Sequence, residues 1–161
     1  MEVSVVIPNY NGIAFLDSVL ASLEGQTLKN FEVIFVDNGS SDGSCSFVAG
    51  NYPWVHIIEL SENYGFCRAV NEGIKASRAP YVLLLNNDTE VKEDFLEEMT
   101  AAIRRHKKAF SCAARMVQYH DRDRLDDAGN FYNALGWSFA RGKGKDIHTY
   151  EEEEKIFSSC G

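Results

Sequence analysis

The chain has 161 residues, 45% of them hydrophobic, with 16 Lys and Arg against 24 Asp and Glu. That length favours one domain, able to bury about 70% of the surface its unfolded form exposes. A formal net charge of -8 argues against duplex nucleic acid as a partner, whose binding needs clustered cations. It leaves a phosphate ligand open, since a bound metal supplies positive charge locally.

In chain order, Val3-Ser4-Val5-Val6-Ile7 predicts a strand stopped by Pro8, and Asn9-Tyr10-Asn11-Gly12 a turn. Ile13, Leu16, Val19, Leu20 and Leu23 recur at helical spacing, predicting an amphipathic helix to about Gln26. Residues 31–36 are an apolar run that ends in Asp37 and opens into Asn38-Gly39-Ser40-Ser41-Asp42-Gly43-Ser44. Here Ser40, Ser41 and Asp42 offer helix caps ahead of Phe47 and Val48. Val55 to Leu60 predicts a third strand, Phe66 to Ser77 a helix, and 80–85 a fourth strand ending in Asn86-Asn87-Asp88-Thr89. Glu93 to Lys107 predicts a helix, and Phe110 to Val117 a fifth strand or buried segment.

The alternation βαβαβαβα is that of a parallel sheet with helices on both faces. Residues 1–118 read as this α/β core. Residues 119–161 read as an irregular excursion, with a hairpin lying across the top of the sheet. Glu151 to Glu154 predicts a solvated helix turn, and Ile156 to Cys160 the start of a strand. A chain that stops at Gly161 as a strand begins is expected to be a fragment.

Cysteines at 45, 67, 112 and 160 have no CxxC spacing and lie away from the scattered histidines, so buried reduced thiols are expected rather than a zinc site. No apolar run approaches the roughly 20 residues that span a bilayer, and no basic leader precedes Val3. A cytoplasmic protein is the expectation.

In open α/β sheets, ligands bind beyond the carboxyl ends of the strands. Asp37 and Asp88 end two buried runs and should face one cleft. A carboxylate at 37 suits a ribose hydroxyl or base N–H. Asp88 suits Mg²⁺ or Mn²⁺, which take oxygen ligands and share a carboxylate with substrate phosphates. Pro8, Tyr10 and Asn11 line the same edge, and Tyr10 suits packing against a base. Asn63 and Gly65 follow the third strand, where a glycine admits close backbone approach and the next helix N-terminus favours anions. Neither GxGxxG nor GxxxxGK[ST] occurs, which sets aside a dehydrogenase and the common phosphate loop.

Together, Val5-Val6-Ile7-Pro8-Asn9-Tyr10-Asn11, Val36 to Ser44, Asn63-Tyr64-Gly65-Phe66 with Asn71 and Gly73, and Leu84-Leu85-Asn86-Asn87-Asp88-Thr89 resemble the inverting family 2 glycosyltransferases. Those enzymes have the nucleotide-diphospho-sugar transferase (GT-A) fold. The Asn-Asn-Asp form is similar to the rhamnosyltransferase-like branch that makes cell-surface polysaccharide. The resemblance implies that Pro8, Tyr10 and Asp37 border base and ribose, that Asn87 and Asp88 occupy the metal motif, and that Asp88 ligates a divalent cation. It implies a nucleotide-diphosphate-sugar donor, a carbohydrate or lipid-linked glycan acceptor, and docking of a longer parent protein at the inner membrane face. Two positions depart from the pattern: Asn86 stands where many members have Asp, and Val70 where many have Arg. The catalytic base is expected beyond residue 161. A non-catalytic nucleotide-binding or assembly module with the same fold is the alternative.

Overall fold

The computed structural model describes residues 1–156 and Ser158. They form two compact units, Met1–Ala101 and Ala102–Gly161.

The first unit is a parallel sheet of order β3-β2-β1-β4, built from β1 (Val3–Asn9), β2 (Phe31–Asp37), β3 (His56–Glu59) and β4 (Tyr81–Leu84). Val5, Val6, Ile7, Val33, Ile34, Phe35 and Val36 are buried on both faces of β1 and β2, which is why both strands read as unbroken apolar runs. Helices α1 (Ile13–Glu24) and α2 (Ser44–Asn51), with the start of α4 (Phe95–Arg105), pack on the face of Val5, Ile7 and Phe35. Helix α3 (Phe66–Ala76) covers the other face, where Ala69 meets Val6, Ile34 and Val36.

The α1 stripe falls as expected: Leu16, Val19, Leu20 and Leu23 are fully buried, while Ile13 stays exposed. Buried Gln26 clamps α1 to α4. Its Nε2 donates to the Lys92 carbonyl at 2.7 Å, and its Oε1 accepts the Leu96 N–H at 2.9 Å. One of the orphan N–H groups of α4 is thereby satisfied.

Pro8 does not stop β1, which runs on to Asn9. Val6 accepts from the Leu85 N–H and Asn9 from the Asn38 N–H, so even positions of β1 face β4. The N–H that Pro8 lacks would face the chain just past Leu84, where β4 ends, so the proline sits at the limit of the ladder and not within it.

Gly73 lets α3 sit on the sheet. A Cβ there would collide with Val6 Cγ1 and stand 3.1 Å from Val36 Cγ2. Overpacking of this kind costs about 1–3 kcal/mol, while Ala gains about 1 kcal/mol of helix preference over Gly. With a collision this close, Gly73→Ala is expected to destabilise the chain by ~2 kcal/mol, read from the midpoint of a urea melt at unchanged slope.

Strand β4 closes one edge of this sheet. Tyr81, Leu83 and Leu85 turn into the first core, whereas Val82 and Leu84, on the α3 face, remain 40% and 50% exposed.

The second unit pairs β5 (Met116–Val117) with β6 (Leu125–Asp127), and β7 (Asn130–Tyr132) with β8 (Ser138–Ala140), both antiparallel. The second pair is the expected hairpin, and Leu125 is the fully buried centre of the unit. Three expectations are corrected. Phe110 is fully exposed, and the strand expected from it begins only at Met116. Glu151 to Glu154 form no helix turn: they lie in irregular chain, where Glu153 pairs with Arg105 and His106, and Glu154 with Arg141. Cys67 and Cys112 are exposed rather than buried. Cys160, with most of the strand expected from Ile156, lies outside the described residues. Among the described residues no helix is long and apolar enough to cross a membrane.

Candidate functional site

The sheet order reverses at β1. The chain steps from β1 through β2 to β3, then α3 carries it back to β4 on the opposite side of β1. The crevice between the carboxyl ends of β1 and β4 is therefore the topological switch point, the usual ligand position in an open α/β sheet.

Asn9 ends β1 directly opposite Asp37 in register. Its Nδ2 donates to Asp37 Oδ1 at 2.9 Å and to Ser40 Oγ at 3.2 Å. Its Oδ1 accepts from Asn87 Nδ2 at 2.6 Å. One side chain thus joins the ends of β1, β2 and β4. Asp37 is 3% exposed, and both its oxygens are engaged. Ser40 Oγ donates to Oδ1 at 2.6 Å, and the Ser40 N–H donates to Oδ2 at 2.8 Å. Ser40 Oγ also accepts the Asn11 N–H at 2.9 Å, while Asn11 Oδ1 accepts the Ser41 N–H at 2.9 Å.

The segment after β3 joins the same rim. Asn38 Nδ2 donates to Asn63 Oδ1 at 2.8 Å, and Asn38 Oδ1 accepts the Tyr64 N–H at 3.0 Å. Gly39, at φ 76°, has the backbone of Glu62 2.6 Å from where a Cβ would stand, so only glycine admits this approach. Asn63 Oδ1 in turn accepts the Gly65 N–H at 2.9 Å.

Of the residues expected at the site, Asn11, Asp37, Asn63 and Asn87 are brought together by these bonds, and Gly65 through its N–H. Pro8 is buried within β1, and Tyr10 is 51% exposed beside it. Asp88 follows Asn87, is exposed, and makes no hydrogen bond or ion pair among the described residues. Arg68 pairs with Glu72 at 3.8 Å and lies over the Tyr64 ring at 4.6 Å.

The sequence reading missed Asn9 and Asn38 as linkers, Ser40 as the partner of Asp37, and Gly12. A Cβ on Gly12 would meet Asn9 Oδ1 at 2.5 Å and collide with Asn87 Nδ2. Equal seven-residue strands, counted from Val3 and Phe31, would have set Asn9 opposite Asp37.

A cleft of about 280 Å³ lies beside this network, lined among others by Asp37, Ser40, Ser44, Cys45, Glu59 and Ser61. Among the described residues no lysine or arginine lines it. Burial, and then the Asp37 and Glu59 carboxylates, push the Cys45 thiol up to about 12. It stays protonated at neutral pH and is a poor nucleophile.

Asp42 caps, as expected. Its Oδ2 accepts the Ile13 N–H at 2.9 Å, and its Oδ1 accepts the Ser44 N–H at 3.0 Å and Ser44 Oγ at 2.6 Å, so one carboxylate serves the first turns of α1 and α2. Burial pushes this carboxyl up, but the bonds from Ser44 and Ile13 outweigh it and hold it below its ordinary 3.8. A lowered folded-state value means stability present above 3.8 and lost as pH falls through the folded-state value. Asp42→Ala is expected to cost about 1–2 kcal/mol at pH 7. Urea melts of the two proteins should converge in acid below 3.8.

Comparison with known proteins agrees with this architecture. The family model described as glycosyl transferase family 2 matches residues 4–158. Glycosyltransferase GlyG of Streptococcus pneumoniae is 29% identical over 133 residues, 81% of this chain and 42% of its own length. The putative teichuronic acid biosynthesis glycosyltransferase TuaG of Bacillus subtilis is 29% identical over 128 residues, 77% of this chain and 50% of its own. The chain therefore spans about half the length of these curated relatives, or less. TarS of S. aureus, solved with UDP, superposes with a TM-score of 0.62 at 23% identity, over 73% of this chain and 40% of that one. Mannosyltransferase PcManGT from Pyrobaculum calidifontis, solved with GDP-Man and Mn²⁺, gives 0.59 at 24%, over 63% of this chain and 32% of that one. These likenesses carry the fold, which is the GT-A fold expected from the sequence. With a family model spanning nearly its whole length, this chain belongs to glycosyl transferase family 2.

Proposed function

We propose that this chain binds the nucleotide-diphosphate-sugar donor of an inverting glycosyltransferase whose acceptor is a carbohydrate or lipid-linked glycan. The observation that carries the reading is the Asn87–Asn9–Asp37 chain of hydrogen bonds at the switch point, with the free carboxylate of Asp88 next to it. Asp37, fixed by Asn9 and Ser40, presents its remaining acceptor capacity to a base N–H or ribose hydroxyl without having to reorient. Tyr10 offers a ring face to the base. Pro8 shapes the strand end from within. Gly65 and Asn63 keep the loop before α3 close to the rim, where backbone N–H groups suit an anion.

The site suits a divalent cation of a particular kind. Among the described residues no group of three metal-ligating side chains occurs, so a closed all-protein cage is not formed. Asp88 is a hard oxygen ligand with no protein partner, and Asn87 beside it is committed to Asn9. That donor set fits Mg²⁺ or Mn²⁺ held jointly by one carboxylate and the ligand's phosphates. When bound, such an ion supplies positive charge to the departing diphosphate. Asp88 anchors it, and Asn87 fixes the backbone from which Asp88 projects. Inversion also requires a carboxylate to take the acceptor hydroxyl's proton, a role we assign to none of the described residues. A parent protein acting on lipid-linked acceptors would work at the cytoplasmic face of the membrane.

Calorimetric titration of the chain with UDP and dTDP, with and without Mn²⁺, tests the reading. Saturable binding strengthened by Mn²⁺ is expected. Binding of neither nucleotide under either condition would overturn it in favour of a non-catalytic module.

A further inference from the structure

Residues 130–140, the β7–β8 hairpin, carry no charge in a chain that is 25% charged. Within them Leu135 is 83% exposed, Trp137 72%, Phe139 53% and Tyr132 49%. Large apolar side chains gathered on one exposed turn mark a surface that meets another apolar phase. The turn is tied from within. The Asn133 N–H donates to the Trp137 carbonyl and the Gly136 N–H to the Asn133 carbonyl, both at 3.0 Å. Asn133 Oδ1 accepts the Leu135 N–H at 2.9 Å and the Trp137 N–H at 3.1 Å. Gly136 supplies the left-handed residue of the turn, at φ 82°. The N–H groups of Asn133, Leu135, Gly136 and Trp137 are thus already paired, so withdrawing water from them leaves none unmet.

The charge of the chain is divided unevenly. Residues 102–161 hold 11 Lys and Arg against 9 Asp and Glu, whereas residues 1–101 hold 5 against 15. The hairpin belongs to the unit that a negatively charged surface does not repel. Asp127, the first acid before it, is buried and accepts the Gly129 N–H at 2.9 Å. Beyond it come Arg141, Lys143 and Lys145, of which Arg141 pairs with Glu154 at 2.7 Å and Lys143 with Asp126 at 3.7 Å. With those pairs in place, the apolar tip rather than a basic patch has to supply most of any attraction.

We infer that this hairpin is a wedge that inserts into the interface of a lipid bilayer, with Leu135 and Trp137 entering first. Tryptophan and tyrosine favour the headgroup level, where an apolar ring and a polar atom are both accommodated. A charge-free turn whose backbone bonds close on themselves suits a deformable lipid surface, which needs no preformed pocket to receive it. The cations that follow the hairpin lie at its base, level with the headgroups when the tip is inserted. The inference deepens, and rests for its purpose on, the proposal that the parent protein works at a membrane. It takes nothing from the nucleotide site.

The test is flotation of the 161-residue chain with vesicles of phosphatidylcholine and, separately, vesicles that also contain phosphatidylglycerol. Both are expected to carry the protein, the anionic ones roughly threefold more tightly, with the gap closing as salt is added. The chain has two tryptophans, so Trp54→Phe leaves Trp137 as the sole reporter. Its emission should shift to the blue on vesicles and be quenched by lipids brominated on the acyl chain. Leu135→Ser with Trp137→Ser is expected to weaken partition roughly 100-fold and leave the thermal melt unchanged, since both side chains are exposed. Trp137→Phe should stay within about threefold of the wild type. No flotation with either vesicle overturns the inference, as does flotation undiminished in the double variant or Trp137 emission unmoved in bound protein. Self-association that the double variant abolishes, with no vesicle bound, overturns it too and makes the hairpin an interface between copies. UDP titration in Mn²⁺ separates the claims: nucleotide bound but no vesicle refutes the wedge alone, whereas vesicles bound but no nucleotide refutes the donor reading alone.

Discussion

Asp37→Ala is expected to lower stability by ~3 kcal/mol, a fall in Tm of roughly 10 °C, and to abolish nucleotide binding. The substitution removes the acceptor of Asn9 Nδ2, of Ser40 Oγ and of the Ser40 N–H at once. Asn9 is 2% exposed, so its amide would be left with little access to water. A hydrogen bond to a charged group contributes about 1.5–3 kcal/mol, and a buried donor left unmade costs a similar amount. Asp37→Asn keeps the shape but sets an amide N–H against one of its present donors, so about half the loss is expected from it. Thermal melts give the first effect and UDP titration the second. An Asp37→Ala protein that melts with the wild type would contradict the linking role assigned to this carboxylate.

Asp88→Ala should behave in the opposite way. This carboxylate is exposed and makes no hydrogen bond or ion pair among the described residues, so stability should stay within about 0.5 kcal/mol of the wild type. Nucleotide-diphosphate binding in Mn²⁺ is expected to fall roughly 100-fold, equivalent to about 2.8 kcal/mol, and binding without the metal to stay unchanged. The asymmetry follows from geometry. Asp37 is held by Asn9 and Ser40, and on the proposed reading it would meet a neutral part of the ligand, whereas Asp88, with no hydrogen bond or ion pair among the described residues, would meet the ligand through an ion. Undiminished Mn²⁺-dependent binding in Asp88→Ala would remove this residue from the metal's coordination. Measured together, the two variants separate a framework carboxylate from a ligating one.

The strands, α1 and the converging rim were legible because they rest on local rules. Unbroken apolar runs mark strands buried on both faces, and Leu16, Val19, Leu20 and Leu23 mark one stripe of a helix. The family pattern was legible for the same reason, since its motifs sit at strand ends. What the sequence hid depends on partners far along the chain. Pro8 looked like a stop because its lost N–H matters only if a neighbouring strand extends that far, and β4 does not. Ser40 looked like a helix cap, but it turns back onto Asp37 and Asn11. Asn9 looked like a turn residue until the register of β1 against β2 put it between two other strand ends. Phe110 followed the rule that aromatics are buried, which holds only one way round. Glu151 to Glu154 met Arg105, His106, Arg141 and His148, and formed no helical turn.

Strand β4 has a bearing on how this protein must be handled. It stands last in the order of its sheet, and Tyr81–Leu84, with Val82 and Leu84 half-exposed, carries no lysine or proline to discourage a visiting strand. At the millimolar levels that spectroscopy or crystal growth demands, copies would tend to zip together there, and apparent ligand affinities would drift with sample history. A lysine in place of Val82 should keep the preparation monomeric and leave the crevice at the strand tips untouched.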